Sequence, residues 1–432
     1  MVQSASLHLA ENLPIIIWWT ANGNLSPHGT IDGKVTYTLL TCHNGATCYS
    51  TVDRDVLHDK RTRGILFYGT DVDPEDFPLP RREWHEWALI HEESPLNNYM
   101  LSHNPMIQLF NHTATFSHKS DYPLTTFAIH HPDYLTRRQP VSTKQKNAAQ
   151  KSKGYSPIVY LQTHCDVPSD RDSYVEELMK YIQVDSYGEC LNNKDLPFHL
   201  RDPAATFEHN DLLDLLAEYK FALAFENAYC DDYMTEKLIR PLHIGVVPIY
   251  KGSPVVQKWM PNNHSIIMIE DFNSPKELAE FITYLDNNDE EYEKYLEFKI
   301  KGITNSHLIN YLEKREWEEG MKDFFRGFEC HLCKQLAERM EAEQKKKLNP
   351  AVTLPPIRIA NSSHLGCPMP QRLQIQGKEE QLRWPLIDWT GMYWHDLDRA
   401  RAAYQMVKAG ETNPSTFRKY LREEMSKAHN KH

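Results

Sequence analysis

The feature that most narrows the fold lies in the middle of the chain, where short apolar runs alternate with helical sequence. Residues 157–161, 221–225, 246–250 and 265–269 read as strands, with 169–182 and 232–243 as amphipathic helices among them. Continuous apolar runs suit strands covered on both faces, and strands joined through helices run parallel. The stretch therefore predicts the βαβ rhythm of an α/β parallel sheet. Ser274, Pro275 and Glu277 supply a cap, a proline at the first helical position and an acidic residue three positions after the cap, which opens a further helix.

Upstream, residues 13–133 mix β-rich runs at 14–19, 34–40, 64–68 and 87–91 with turn-rich loops. These predict a second α/β half with covered strands. Residues 137–155, RRQPVSTKQKNAAQKSKGY, are basic, polar and nearly devoid of apolar side chains, and so read as a linker or mobile loop. With 432 residues the chain has material for two to three domains. The expected plan is an N-terminal domain over 1–136, a basic linker over 137–153, a second domain over 154–333 and an extension over 334–432. The extension holds a charged helical segment through Lys347, a proline-rich stretch at Pro355 and Pro356, and two helix-like stretches towards the terminus. Two such halves imply a cleft, and open parallel sheets bind nucleotides at their strand carboxyl ends.

Composition excludes several classes. With 41% hydrophobic and 25% charged residues the chain is an ordinary folded one. A net charge of −11 leaves no global basic excess for nucleic acid, so any anionic ligand must meet a local cluster. The longest apolar run, 13–19, is far short of the roughly 20 residues that span a bilayer. The opening residues lack a basic n-region and a long h-region, which predicts either a cytosolic protein or a targeting segment outside these residues. Eight cysteines, an even number, allow a disulfide set without giving its connectivity. Asn111, Asn263 and Asn361 begin complete N-glycosylation sequons, and Asn24 begins a poor one followed by Pro27. Cysteines and sequons together favour a lumenal or extracellular setting.

The most informative stretch is 225–252, FENAYCDDYMTEKLIRPLHIGVVPIYKG. Asp231 or Asp232 suits a helix cap, and Tyr233, Glu236, Lys237 and Arg240 then recur at i, i+3, i+4 and i+7 on one helical face. That face suits a sugar nucleotide: lysine neutralises a diphosphate, a carboxylate accepts ribose hydroxyls, and amides at the helix start favour an anion. An ordinary solvated face with a Glu/Lys pair has the same spacing. The stretch resembles the donor-binding signature of the α1,3/4-fucosyltransferase family. The family pattern runs Phe-Glu-Asn-Ser, then Asp-Tyr-x-Thr-Glu-Lys, then a Gly-x-Val-Pro turn with a closing glycine. Here these are Phe225-Glu226-Asn227-Ala228, Asp232-Tyr233-Met234-Thr235-Glu236-Lys237, Gly245-Val246-Val247-Pro248 and Gly252, within a resemblance covering about residues 13–333. Ala228 departs from the family's common serine, and Pro241 is expected to kink or shorten the helix.

The resemblance implies a GT-B-like fold of two Rossmann-like domains, with GDP-fucose held by Arg171, Glu226, Asn227, Tyr233, Glu236 and Lys237. Arg171, after Asp170, matches the family's phosphate-binding arginine. Glu93, in Glu92-Glu93-Ser94-Pro95 at a strand end, matches its catalytic base, and a neighbouring Glu92 would raise that proton affinity if both were buried. The implied reaction is inverting displacement, with Arg171 and Lys237 as fixed cations in place of a metal. Neither a metal nor another cofactor is expected. The pairs Asp71-Val72-Asp73 and Asp396-Leu397-Asp398 read as surface turns. Cys330 and Cys333 lack two further ligands for zinc. In the family such a pair ties back to the first domain, where Cys42 and Cys48 are the candidates; a local Cys42–Cys48 bridge is the alternative. Cys165, Cys190, Cys230 and Cys367 complete the disulfide candidates.

Within the family the chain looks like the divergent fucosyltransferase 10 and 11 branch, linked to O-fucosylation of Ser or Thr on small disulfide-bonded EMI modules. That implies GDP-fucose and an acceptor glycoprotein or folded EMI module as partners, with no nucleic acid. Transfer to N-acetylglucosamine of glycans is the second reading, and a catalytically silent glycoprotein binder is a reading of another class. Family members are type II membrane proteins of the endoplasmic reticulum or Golgi, so the expected anchor lies outside these residues.

Overall fold

Ile15-Ile16-Ile17-Trp18 is apolar at every position, and a strand of that kind belongs at the centre of a sheet. In the computed structural model, which describes residues 12–20, 30–31, 34–202, 206, 208–315, 324–371, 375 and 387–429, these residues form the fully buried strand β1, Ile15–Trp18. The chain divides into two compact units, one of residues 1–124, 316–365 and 394–432, the other of 125–315 and 366–393. In the first unit β2 (Thr30–Ile31) and β3 (Lys34–Val35) make a small ribbon. They are followed by β4 (Tyr37–Thr41), β5 (Thr47–Thr51), β6 (Thr62–Tyr68), β7 (Glu86–His91) and β8 (His112–Thr115). The six-stranded sheet runs β4-β5-β1-β6-β7-β8, parallel except for β4 against β5. The run at 34–40, expected as one covered strand, is divided between the ribbon and this edge strand, where Leu39 points into solvent.

In the second unit the expected linker is folded. Residues 137–153, read as a linker, contain helix α1, Thr143–Lys153, opened by a reciprocal Ser142–Gln145 capping box and closed by Gly154 in the left-handed region. Its polar composition hides one buried side chain. The Lys146 ammonium donates to the carbonyls of Tyr219 at 2.8 Å and Gly245 at 2.6 Å and to the Tyr292 hydroxyl at 3.2 Å. Burial holds that lysine down at about 7. A long aliphatic stem with a satisfied head packs like an apolar residue, which a count of polar residues cannot register.

Next come β9 (Ile158–Gln162), α2 (Arg171–Leu178), β10 (Val184–Gly188), α3 (Asn210–Ala217), β11 (Phe221–Phe225), α4 (Glu236–Ile244), β12 (Val247–Lys251), β13 (Ile267–Met268) and α5 (Pro275–Asp286). All strands are parallel in the order β10-β9-β11-β12-β13, the mixed α/β sheet that the βαβ rhythm predicts. Strand β11 shows how both faces fill: Phe221, Leu223 and Phe225 join the core under α2 and α5, while Ala224 opposite packs with Leu238 and Leu242 of α4.

The helix expected from 232 starts only at Glu236. Asp232 sits at φ +62°, its amide donating to Ser253 Oγ and its Oδ1 accepting from Trp259 Nε1, and Thr235 caps the helix. Pro241 does not end α4, which continues to Gly245 in the left-handed region.

The chain then adds α6 (Phe324–Leu348) to the first unit, α7 (Trp389–Lys408), whose first five residues belong to the second unit and the rest to the first, and α8 (Phe417–His429) in the first. Cys330 and Cys333, one turn apart on α6, pair with Cys42 and Cys48 of the β4–β5 hairpin. The local Cys42–Cys48 bridge is not formed. In the second unit Cys165 pairs with Cys190 and Cys230 with Cys367. Asn111 is corrected as a glycosylation site: it is buried, its Nδ2 donating to the Arg358 carbonyl at 2.9 Å and its Oδ1 accepting from Arg81 at 2.5 Å. In the folded chain both side-chain polar atoms of Asn111 are engaged in the interior. Asn263 and Asn361 are exposed, and Asn24 lies outside the described residues. Among the described residues no helix is long and apolar enough to cross a membrane.

Candidate functional site

In the second unit the strand order reverses between β9 and β11, because the chain passes from β9 to β10 on one side and then returns to build β11 on the other. Such a switch point leaves a crevice at the strand carboxyl ends. A cavity of about 320 Å³ lies there, lined by Gln162 at the end of β9, Gly188 at the end of β10, Asn227 after β11, and Arg171, Lys237 and Arg240. Gly188 is at φ +87° with the Gln162 carbonyl where a Cβ would be, so no side chain closes this wall.

Arg171 opens α2 and is 1% exposed. Its Nη1 donates to the Phe225 carbonyl at 2.9 Å and to Asn227 Oδ1 at 2.7 Å, and its Nη2 to the His164 carbonyl at 2.6 Å. Its Nε has no partner among the described residues, and no carboxylate there pairs with the guanidinium. A buried cation held only by neutral acceptors leaves a positive field for an anion.

Across the cavity the start of α4 is built from Glu226. This carboxylate is 0% exposed and accepts from the Thr235 amide and from Thr235 Oγ1, both at 2.8 Å. Burial pushes Glu226 up to about 7 although Lys237 pulls the other way. Gly252 makes room for it, since a Cβ there would meet the Tyr250 hydroxyl and Glu226 itself. The Lys237 ammonium donates to Glu236 Oε1 at 3.0 Å and to Thr235 Oγ1 at 3.3 Å. Enclosure raises the Glu236 carboxyl, and the Lys237 and Arg240 cations outweigh that, holding it at about 2.

Of the residues anticipated for a nucleotide, Arg171, Asn227, Glu236 and Lys237 all line this cavity, together with Arg240. Glu226 and Tyr233 do not. Glu226 is spent on the helix cap. Tyr233 is 1% exposed and lies before the helix, so the spacing that put it on one face with Lys237 has no helix to act through. His164, Arg201 and Thr206 line the cavity and were not anticipated, since no motif or period in the sequence marks them. Leu196, Leu200 and Leu212 give the opposite wall an apolar surface.

In the first unit β7 ends at His91, and Glu92 and Glu93 follow. Glu92 is buried, accepts from the Tyr68 hydroxyl at 3.2 Å on Oε1, and has no partner for Oε2 among the described residues. Burial, with help from the Glu93 charge, pushes Glu92 up to about 7. Glu93 is half-buried. The cluster of metal-ligand types Cys165, Asp172 and Cys190 has both sulfurs joined to each other, and Asp172 accepts from the Tyr160 hydroxyl at 2.8 Å. Asp73 caps a turn at Glu75, and Asp396 and Asp398 pair with Arg399 and Arg401.

A parallel α/β unit that gathers cations beside an apolar wall at its switch point is of the nucleotide-binding kind, and comparison with known proteins says which. Residues 11–127 match the family described as "Fucosyltransferase, N-terminal", and 149–351 match "Glycosyltransferase family 10 (fucosyltransferase) C-term". The chain belongs to the family 10 fucosyltransferases and is a glycosyltransferase. Among its relatives is the GDP-fucose protein O-fucosyltransferase 3 of Gallus gallus, 45% identical over 406 residues, covering 92% of this chain and 81% of the relative. The Bos taurus protein of that name is 47% identical over 369 residues, covering 84% and 72%. Among solved structures, an α1,3-fucosyltransferase with GDP has a TM-score of 0.41 at 16% identity, over 76% of this chain and 92% of the other.

Proposed function

We propose that this chain transfers L-fucose from GDP-β-L-fucose, with inversion, to Ser or Thr hydroxyls of folded, disulfide-bonded modules of the EMI type. The observation that carries the donor half is the buried Arg171 guanidinium, without a carboxylate partner among the described residues, on one cavity with Lys237 and Arg240. Arg171 and Lys237 take the diphosphate and offset the charge that grows on it as the sugar departs. Asn227 and Glu236 meet ribose hydroxyls, and the leucine wall covers the base. Glu93 takes the proton of the acceptor hydroxyl as its oxygen attacks the anomeric carbon from the face opposite GDP. Protein as the acceptor is supported by relatives at 44–47% identity named GDP-fucose protein O-fucosyltransferase 3. Four disulfides support work in the lumen of the endoplasmic reticulum or Golgi.

The test is incubation with GDP-fucose and one of three acceptors: a folded EMI module, the same module reduced, or an N-acetylglucosamine glycan. Intact mass reads the result. Fucose on the folded module alone is the expected outcome. Transfer to the glycan alone replaces the acceptor assignment, and no transfer from a folded enzyme that binds GDP makes it a silent binder.

A further inference from the structure

Two residues from the region after the family-matched core reach the loops around the donor cavity. Cys367 is disulfide-bonded to Cys230, and beside it the Gly366 carbonyl accepts from the Asp231 amide at 3.1 Å. Trp389, at the start of α7, donates through its indole Nε1 to the Asp166 carbonyl at 2.7 Å. These are interior contacts: Cys230 is fully buried and Trp389 is 8% exposed.

The places they touch decide the aim of Arg171. That guanidinium bonds to His164 in the loop between β9 and α2, and to Phe225 and Asn227 at the start of the loop between β11 and α4. Its direction follows from the relative placing of the two loops. The loops hold each other through Ser169, whose amide and hydroxyl donate to the Asn227 and Glu226 carbonyls at 3.0 and 2.7 Å, and through the Tyr229 hydroxyl on the Ser169 carbonyl at 2.7 Å. Both loops are also strained. Asp166, Asp170 and Asp232 are three of the five non-glycine residues with positive φ among the described residues. Such backbone persists only where its surroundings over-determine it. Trp389 bonds to Asp166 itself, and the Cys230–Cys367 bridge and the Asp231–Gly366 bond stand next to Asp232.

We propose that Cys367 and Trp389 are positioning residues for donor binding: they restrain the two strained loops from outside and so keep Arg171 aimed into the cavity. The inference rests on the donor reading above. Trp389→Phe keeps an aromatic ring and removes the N–H, and a Cys230→Ala/Cys367→Ala pair removes the bridge. Each is expected to weaken GDP binding about three- to tenfold by calorimetry. The kcat/KM for GDP-fucose should fall by at least a similar factor, with part of the loss in kcat, because Arg171 also offsets the charge that grows as the sugar departs. In an Arg171→Lys background the added loss should vanish, because the tethers act through that guanidinium. A tether that only supports the fold would lower the melting temperature and leave the affinity of folded protein alone.

Unchanged GDP affinity in Trp389→Phe overturns the proposal, and so does a loss that persists in the Arg171→Lys background. If the cysteine pair fails to fold, Trp389→Phe alone decides. Lys237→Ala separates the two readings. Unchanged GDP affinity there removes the donor assignment and the inference with it, whereas a loss there with none in Trp389→Phe removes the tethers only.

Discussion

In the proposed donor site Arg171 offers a rigid, buried guanidinium and Lys237 a partly exposed ammonium, so their substitution differs in kind. Lys237→Ala removes a charge-assisted contact of about 1.5 to 3 kcal/mol, and GDP affinity measured by calorimetry should fall roughly ten- to a hundredfold. On the proposal that these cations take the place of a metal, transfer should persist in excess chelator; complete loss, restored by Mn²⁺, would contradict that. The base is the sharper question, because Glu92 and Glu93 adjoin and only Glu92 is fully enclosed. Glu93→Gln should lower transfer about a hundredfold or more with GDP affinity and melting temperature nearly constant. The pH profile reads the register independently. A base must be unprotonated, so if Glu92 acts, kcat/KM rises with pH through about 7 and flattens above it. Loss of transfer in Glu92→Gln together with that limb would shift the assignment by one residue. Of the cavity lining, Asn227, Glu236, Lys237 and Arg240 were legible in the ordered stretch 225–252. The separate fates of Glu226 and Tyr233 were not, because a face argument presupposes a helix, and at 232–235 the backbone is not helical.

At the scale of elements, α4 depends on a carboxylate that belongs to another element. Glu226 leaves the end of β11 and caps α4 through Thr235, so the strand sets where the cationic helix begins. Its folded pKa of about 7 stands above the ordinary 4.5, so between those values the native state holds a proton that the unfolded chain releases. Stability contributed by this group therefore falls as pH rises from about 4.5 to 7, by at most about 3 kcal/mol. Glu226→Gln should lose that slope, so the difference in unfolding free energy between the native chain and the variant should change across pH 4.5 to 7; parallel curves would show that Glu226 does not titrate there. The strands with continuous apolar runs were legible for a plain reason: burial on both faces writes itself into composition. Strands β5, β8 and β10 were not, since Thr47–Thr51, His112–Thr115 and Val184–Gly188 place Thr, Ser, His and Asp inside the sheets. Those side chains find local partners, such as Thr113 with Asp121 and Asp185 with Ser156, that no periodicity announces.

For the whole molecule, the paired bridges of the first unit close nearly the same loop, with separations of 288 and 285 residues. A first crosslink over such a loop restricts the unfolded chain by roughly 5 kcal/mol, and a second beside it closes only a short residual ring and adds roughly half as much. Removing Cys48–Cys333 alone by paired serine substitution should therefore cost clearly less in denaturant unfolding than removing both bridges. Equal costs would mean that native packing around α6, not the unfolded chain, governs the effect. The alternating runs of 157–286, the motif of 225–252 and the even cysteine count lie within the amino-acid order and need no folded chain to be read. Helical and strand periodicity, turn chemistry and motif spacing act over a few residues, so their record in the chain is local. Which cysteines pair, why Asn111 is engaged in the interior, why a lysine-rich stretch is a packed helix and which carboxylate near 92 is enclosed are properties of contacts between distant positions. Trp389 meets Asp166 across 223 residues, and Lys146 meets Gly245 across 99. Burial, pairing and proton affinity are set by what packing brings alongside a group, and that comes into being only when the chain has folded.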